Sequence, residues 1–194
     1  TLLVYVIAAV GIYEILRMKK IVIYSLPGIF SVFATFVMLM PNEWEQQVLE
    51  WTTYSKLELL FITAILLLIY SVLVKNRFTF DDVAFVILST LYVGIGFYYL
   101  IATRDAGLAY IIFALLVVWT TDSGAYFTGR RLGKNKLWPE ISPNKTIEGF
   151  VGGIVIAVIA VIIMQLISPF DVSWGILILI AIVSSIFGQM GDLV

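Results

Sequence analysis

Long apolar blocks separated by short polar stretches dominate the pattern of this chain. The blocks lack the regular polar positions of an amphipathic soluble helix, and each is close to the roughly 20 residues that cross a bilayer core of about 30 Å. Because backbone amides in lipid must be paired within their own segment, every block is predicted to be a helix. The predicted segments are residues 1–16, 21–40, 57–74, 83–101, 106–128, 147–167 and 174–194.

This pattern predicts an all-α, polytopic integral membrane bundle of about seven transmembrane helices. The chain shows no linker, low-complexity tract or internal repeat, so residues 1–194 are predicted to form a single transmembrane domain. Pro27 and Gly28 predict a kink in the second segment. Gly149 and Gly153 form a small-x-x-x-small pair, which predicts close helix packing.

Composition agrees with a membrane protein and narrows the chemistry. Hydrophobic residues make up 61% of the chain and charged residues 13%, about half the share in a soluble domain. The chain has no Cys and no His, which excludes disulfides, thiol catalysis, His general bases and zinc sites built on these residues. Acid–base or metal chemistry must therefore use carboxylates. The net charge of −1 indicates no particular partner, and no nucleic-acid partner is expected.

Positive charges alternate between successive loops. The loops after the first, third and fifth segments carry three, two and five Lys or Arg residues, whereas the other loops carry one, one and none. By the positive-inside rule the richer side is cytoplasmic. This places Thr1 outside and Val194 inside, and it makes the polar segment 122–149 cytoplasmic.

Asp122 lies inside a predicted helix, about six residues from its cytoplasmic end and therefore about 9 Å deep. An ionised carboxylate within a membrane helix costs about 2.5–3.5 kcal/mol at the helix centre, so such a residue usually faces a cavity, a cation or a metal. The alternative is a buried carboxylate that pairs with a nearby Arg for structural reasons alone.

Basic residues crowd the rest of the polar segment, and Gly129 and Gly133 free the backbone between them. Ser142 or Asn144 is predicted to cap the sixth helix, with Glu148 near its first turn. A helix N-terminus beside basic groups favours a phosphate-rich ligand, although the spacing of a Walker-type P-loop is absent. A topology signal alone is the alternative. The bases are Arg130, Arg131, Lys134, Lys136 and Lys145.

Asp192 gives a second carboxylate at the cytoplasmic end of the last segment. Ser184, Gly188 and Asp192 are spaced by four and are predicted to share one helix face, on which small residues allow close packing. Two carboxylates on that side suit Mg²⁺ held together with phosphate oxygens and water. A solvated helix end is the alternative for Asp192.

An ordered series of small and polar residues runs through this part of the chain. It comprises residues 122–130, Gly133, Lys134, Lys136, Leu137, Pro139, residues 141–146, Glu148 and Gly149. This series closely resembles the polar core of bacterial phosphatidate cytidylyltransferases, also called CDP-diacylglycerol synthases. Residues 191–193, Gly-Asp-Leu, resemble the opening of that family's C-terminal signature.

The resemblance implies a reaction of phospholipid biosynthesis in the bacterial inner membrane. The phosphate of phosphatidic acid would attack the α-phosphorus of CTP, giving CDP-diacylglycerol and pyrophosphate, with Mg²⁺ as cofactor. It implies that Asp122, Lys145 and Asp192 are catalytic, with both carboxylates on the metal. A homodimer is one possible assembly that the sequence leaves undecided. The implied substrate-binding residues are Arg130, Lys134, Lys136, Ser142, Asn144, Thr146 and Glu148.

The remainder of the family's C-terminal signature and an N-terminal helix have no counterpart in residues 1–194, so we expect a chain truncated at both ends, with the C-terminal signature region missing. Two alternatives to cytidylyl transfer remain. One is another Mg²⁺-dependent membrane phosphotransferase of the polyprenyl-phosphate type, which usually carries an Asp-Asp pair at a helix end. Here the only such pair, Asp81-Asp82, falls in a predicted loop. The other is a non-enzymatic ion-coupled transporter that uses Asp122.

Overall fold

The computed structural model describes residues 2–193. The predicted positions of Thr1 and Val194, and the segment ends that contain them, lie outside the described residues. The elements in chain order are α1 (Leu2–Met18), α2 (Leu26–Leu39), α3 (Asn42–Thr52), α4 (Lys56–Leu73), α5 (Phe80–Ala106), α6 (Leu108–Leu132), β1 (Lys136–Trp138), β2 (Ser142–Thr146), α7 (Ile147–Ile167) and α8 (Trp174–Gly191).

Every predicted segment coincides with a helix, which confirms an all-α polytopic membrane protein. Within the described residues, α4, α5, α6, α7 and α8 are each long and apolar enough to cross a membrane. The total rises to six if α2 and α3, bent by 115° at their junction, count as one span. The sequence predicted about seven spans; α1, described over 17 residues, and α2, with 14, are shorter than α4 to α8.

The chain divides into two compact units, unit 1 (Thr1–Ala106) and unit 2 (Gly107–Val194). Each has its own buried apolar core. The core of unit 1 includes Ile12 and Leu16 of α1 and Leu67 of α4, and the core of unit 2 includes Val117 of α6 and Val161 of α7. The single domain predicted over residues 1–194 stays a prediction.

In unit 1, the second segment is shorter than predicted and has no kink at Pro27. Residues 21–25 are not helical, and α2 begins after Ser25, whose hydroxyl accepts a hydrogen bond from the Gly28 amide at 3.4 Å. Pro27 lies in the first turn, where its missing N–H costs nothing. The Pro-Gly pair therefore starts the helix instead of bending it.

The stretch predicted to be a loop after the second segment contains a helix, α3. This helix carries Glu43 and Glu45 in its first turn and has no buried residue. Most of its residues are polar, so its sequence lacks the apolar pattern by which the other helices were predicted. It ends at Thr53, which adopts a left-handed conformation with φ of 63°. Ser55 and Glu58 then form a capping box that starts α4.

In unit 2, α6 and α7 approach closely along their glycines. A Cβ added at Gly149 would lie 2.8 Å from the Ala125 carbonyl oxygen, and one at Gly153 would lie 2.9 Å from the Thr121 carbonyl oxygen. No larger side chain fits either position without a backbone shift, so the predicted packing role of Gly149 and Gly153 is confirmed.

The packed face of α8 differs from the predicted one. The buried side chains are Leu177, Ala181, Ser185 and Gln189, and Thr121 of α6 donates a hydrogen bond from its hydroxyl to that of Ser185 at 2.9 Å. Ser184 and Gly188 are exposed, and a Cβ at Gly188 would meet no atom of residues 2–193 within 4 Å. The prediction of a packing face through these two residues was wrong, because the residues that follow them, Ser185 and Gln189, face the neighbouring helices instead.

A short antiparallel hairpin joins α6 to α7, and the sequence did not predict it. Lys136 pairs with Thr146, and Trp138 pairs with Ser142. Ser142 and Asn144 belong to β2. The prediction that one of them caps the helix of the sixth predicted segment, which is α7, was therefore wrong. Thr146 caps α7 instead, since its hydroxyl accepts a hydrogen bond from the Gly149 amide at 3.1 Å.

Candidate active site

A cavity of about 420 Å³ lies in unit 2, between α6, the hairpin, the start of α7 and the end of α8. It brings together residues that the sequence placed in three separate stretches. Six of the predicted site residues line it: Asp122, Arg130, Asn144, Lys145, Thr146 and Asp192.

One face of α6 forms the longest wall of the cavity. Asp122, Tyr126 and Arg130 are spaced by four residues and therefore lie above one another on that face. The helix continues to Leu132, four residues beyond the predicted end. Asp122 is therefore ten residues from the end of its helix, about 15 Å along the axis, instead of the six residues predicted.

Lys145 and Asp192 form an ion pair across the cavity. The Lys145 Nζ lies 3.6 Å from Oδ2 of Asp192 and donates a hydrogen bond to the Gln189 carbonyl oxygen at 3.5 Å. β2 carries the ammonium group and the residue that caps the end of α8 carries the carboxylate. The pair thus joins the hairpin to the last helix of the unit.

Gln189 fixes the position of α8 against α7. Its side chain is buried, and its Nε2 donates a hydrogen bond to the Phe150 carbonyl oxygen at 3.2 Å. Its main-chain oxygen in turn accepts from Lys145. Sequence reasoning missed this residue, although Gln189 is the only amide side chain in the apolar run 174–194.

Arg130 presents a cation at the mouth of the cavity. Its Nη1 donates a hydrogen bond to the Tyr126 hydroxyl at 3.0 Å, and the side chain is exposed. Within residues 2–193 no carboxylate lies within 4 Å of its guanidinium nitrogens. The guanidinium group is therefore held in place while its charge remains available to an anion.

Glu148 organises the turn between α6 and the hairpin. Its carboxylate accepts hydrogen bonds from the Lys134 amide at 3.1 Å, from the Asn135 amide at 3.2 Å and from the Asn135 Nδ2 at 2.8 Å. The side chain does not line the cavity. Its contacts are those of a residue that positions the hairpin.

Three other predicted residues do not line the cavity: Lys134, Lys136 and Ser142. Both lysines are exposed on or beside the hairpin. Thr146 does line the cavity, but its hydroxyl is the cap of α7. The substrate contacts predicted for these four residues stay predictions.

The carboxylates of the cavity are candidate ligands for a divalent metal. Asp122 and Asp192 both line it, and no group of three or more potential metal-ligating side chains occurs within the described part of the chain. Two carboxylates fit Mg²⁺, since it is commonly held by one or two carboxylates together with substrate phosphates and water.

Aromatic and apolar groups complete the lining, with Tyr126, Leu137 and Phe150 beside the charges. Tyr126 is 58% exposed and is followed by Phe127, 57% exposed, on the outer surface of α6. The cavity therefore has a charged interior and an apolar border on the exposed surface of α6.

Comparison with known proteins gives consistent matches over the whole chain. The family model described as "Cytidylyltransferase family" matches residues 1–194. A phosphatidate cytidylyltransferase of Bacillus subtilis is 48% identical over 197 residues, covering 100% of this chain and 72% of the relative. The enzyme of the same name from Staphylococcus haemolyticus is 48% identical, covering 100% and 73%. That of Staphylococcus aureus strain COL is 42% identical, covering 97% and 71%.

Proposed function

The chain belongs to the cytidylyltransferase family, and from this premise we propose that it transfers a cytidylyl group from CTP to phosphatidate, forming CDP-diacylglycerol in the membrane. The supporting observation is the unit 2 cavity, in which Asp122, Arg130, Lys145 and Asp192 converge beside an exposed apolar surface of α6. Such a site offers charge to two phosphate-bearing substrates while one of them keeps its acyl chains in the bilayer.

The reaction needs positioning and charge neutralisation more than a protein nucleophile. A phosphate oxygen of phosphatidate forms a bond to the α-phosphorus of CTP. The bond from that phosphorus to the bridging oxygen of the β-phosphate breaks, and pyrophosphate leaves with the electron pair. No redox step is involved, and the attacking phosphate brings its own negative charge.

Lys145 and Arg130 supply the positive charge in this scheme. Lys145 is fixed by Asp192 and by the Gln189 carbonyl, so its ammonium group is oriented before any substrate arrives. Arg130 lies on α6 near the cavity mouth, where it offers several N–H donors to phosphate oxygens. The Asn144 side chain adds an amide donor or acceptor from β2.

Asp122 and Asp192 are the residues that would hold Mg²⁺. When bound, the metal neutralises charge on the phosphate oxygens of CTP and of the leaving pyrophosphate. The two carboxylates come from α6 and from the end of α8. The two carboxylates would thus bind the metal from two different elements of the cavity wall, beside the space for the triphosphate.

Membership of the cytidylyltransferase family favours this activity over both alternatives. Asp81 and Asp82 lie in the first turn of α5, not in the predicted loop, and belong to unit 1. The carboxylate of Asp82 accepts hydrogen bonds from the amide and hydroxyl of Thr79, and thus caps its own helix. A polyprenyl-phosphate transferase would use such a pair on its substrate.

We also propose that the protein lies in the bacterial cytoplasmic membrane, with the unit 2 cavity facing the cytoplasm. The support is the loop-charge alternation, together with the arrangement inside unit 2. There the basic end of α6, the hairpin and the end of α8 meet at the cavity, while the apolar contacts of Tyr110 and Phe113 with Phe170 lie at the other end. CTP reaches the protein from the cytoplasm.

The test is a competition assay with the full-length protein in liposomes that contain phosphatidate. CTP labelled in the α-phosphate should yield a labelled lipid that migrates as CDP-diacylglycerol, and a UDP-sugar should not reduce the yield. Label transfer only from the UDP-sugar, or ion flux across the liposome without any turnover of CTP, would favour one of the alternatives instead.

A further inference from the structure

A second, larger cavity of about 690 Å³ lies in unit 1 and has no part in the proposed reaction. It is formed where the end of α1, the start of α2, the end of α4 and the start of α5 meet. Four basic side chains line it against a single carboxylate, that of Asp82. The bases are Lys19, Lys20, Lys75 and Arg77.

The charge of this basic cavity is largely uncompensated. Lys19 Nζ lies 3.9 Å from Oδ1 of Asp82, and the other carboxylate oxygen, Oδ2, accepts hydrogen bonds from the amide and hydroxyl of Thr79. Within residues 2–193, Lys20, Lys75 and Arg77 have no carboxylate within 4 Å. Bases from two separate loops therefore share one concave surface. Positive charges that only orient the protein in the membrane would not need to lie together in this way.

The backbone indicates that two of these lysines are placed there at a cost. Lys20 and Lys75 follow the ends of α1 and α4 in the left-handed conformation, with φ of 60° and 55°. Helix ends that use this conformation usually take Gly or Asn, because a larger side chain strains it. A lysine at both sites is explained if its ammonium group is needed in the cavity.

Apolar residues border the same cavity. Val22 is 63% exposed and Leu73 is 74% exposed, and both belong to the apolar surface of a protein that spans a membrane. A ligand with a phosphate group and acyl chains matches a cationic cavity with such a border. A soluble anion would make no use of the apolar part.

We propose that the basic cavity of unit 1 binds the phosphate headgroup of an anionic phospholipid of the cytoplasmic leaflet. Lys20, Lys75 and Arg77 contact the phosphate, and the acyl chains lie along Val22 and Leu73. The proposal concerns a separate site in a separate unit, so it holds or fails independently of cytidylyl transfer.

The test compares lipid binding by the full-length protein and two variants in detergent, measured by native mass spectrometry. Phosphatidylglycerol is the probe, because phosphatidate is expected in the unit 2 cavity as well. In the variant Lys20→Asn/Lys75→Asn the new side chains favour the left-handed backbone, so its thermal stability should be equal or higher. Its affinity for phosphatidylglycerol should fall by about fivefold for each base removed.

The matched control is Arg17→Gln/Arg104→Gln. It removes two positive charges from exposed positions that do not line the basic cavity, and Arg17 lies in the last turn of α1. This variant should bind phosphatidylglycerol as the unmodified protein does. Phosphatidylcholine should bind weakly, and millimolar inorganic phosphate should not displace phosphatidylglycerol.

Equal binding by the lysine variant, or an equal loss in the arginine control, would overturn the proposal. Displacement by inorganic phosphate would also overturn it, since the cavity would then be a site for soluble anions.

Discussion

The ammonium group of Lys145 lies 3.6 Å from the carboxylate of Asp192, and it joins the hairpin of unit 2 to the end of α8. The two side chains are 31% and 58% exposed. An ion pair this accessible contributes about 0–1 kcal/mol to stability. The pair therefore adds little to stability, and its importance is that it places both charges on the wall of the cavity that Asp122 also lines.

Replacing Asp122 by Asn should abolish most of the activity without unfolding the protein. The change removes one of two carboxylates that we assign to Mg²⁺, and the rate of CDP-diacylglycerol formation should fall by roughly a hundredfold or more. The rate should be measured over a Mg²⁺ titration after treatment with a chelator. The variant should need more Mg²⁺ for its residual rate.

Asp171→Asn is the control for this change, because Asp171 is exposed in the loop between α7 and α8. It should keep the unmodified rate and the unmodified Mg²⁺ requirement. An Asp122→Asn protein with normal Mg²⁺-dependent turnover would show that the carboxylate has no part in the reaction.

The close approach of α6 and α7 should be sensitive to a single methyl group. A Cβ at Gly124 would lie 2.9 Å from Cβ of Ile156 and 3.1 Å from Cα of Gly153, and neither atom can rotate away. Gly124→Ala should therefore destabilise the protein by about 1–3 kcal/mol. Thermal unfolding in detergent should reveal a lower midpoint.

Gly188→Ala provides the matched comparison, since a Cβ there meets no described atom within 4 Å and the position is helical. Alanine should leave the midpoint unchanged or raise it slightly. Equal midpoints for the two variants would mean that the glycine contact between α6 and α7 is looser than described.

The apolar pattern predicted the helices well and their polar ends less well. α7 begins and ends at the predicted residues, because Thr146 and Ser168 flank a mostly apolar run. α6 continues past its apolar part to Leu132, since a helix need not end where the bilayer does. The prediction treated the change from apolar to polar as the end of the helix.

Other features depend on contacts that no local pattern contains. α3 is polar on most positions, and the hairpin exists because Lys136 meets Thr146 across a turn. Asp122, Lys145 and Asp192 were predicted from their residue types and do line one cavity. The structural role of Gln189 depends on which neighbour the buried face of α8 meets, and a single amide in an apolar run does not specify that.

Glu148 should control the order of the turn before the hairpin. In Glu148→Ala the amides of Lys134 and Asn135 lose their acceptor, so both should exchange hydrogen several-fold faster. Hydrogen–deuterium exchange with peptide resolution over residues 130–140 measures this. Glu140→Ala alters an exposed carboxylate in the same hairpin and should leave the exchange unchanged. Similar exchange in both variants would contradict the anchoring role of Glu148.

The two ends of unit 2 should be accessible from opposite sides of the membrane. Residues 1–194 contain no cysteine, so a cysteine introduced among them is the only one in this part of the chain. Asp171→Cys should react with a membrane-impermeant maleimide in intact cells, whereas Glu140→Cys should react only after the membrane is opened. The reverse pattern would place the cavity outside and exclude cytoplasmic CTP as its substrate.

The most direct measurement follows the label from α-³²P-CTP into lipid, with phosphatidate and Mg²⁺ present, for the unmodified full-length protein, Lys145→Ala and Arg104→Gln. Arg104 lies in the last turn of α5, and among residues 2–193 its one carboxylate partner is the neighbouring Asp105. The account predicts rapid labelling by the unmodified protein and by Arg104→Gln, and a rate roughly a hundredfold lower for Lys145→Ala. Labelled lipid formed at the same rate by Lys145→Ala, or no labelled lipid from the unmodified protein, would contradict it.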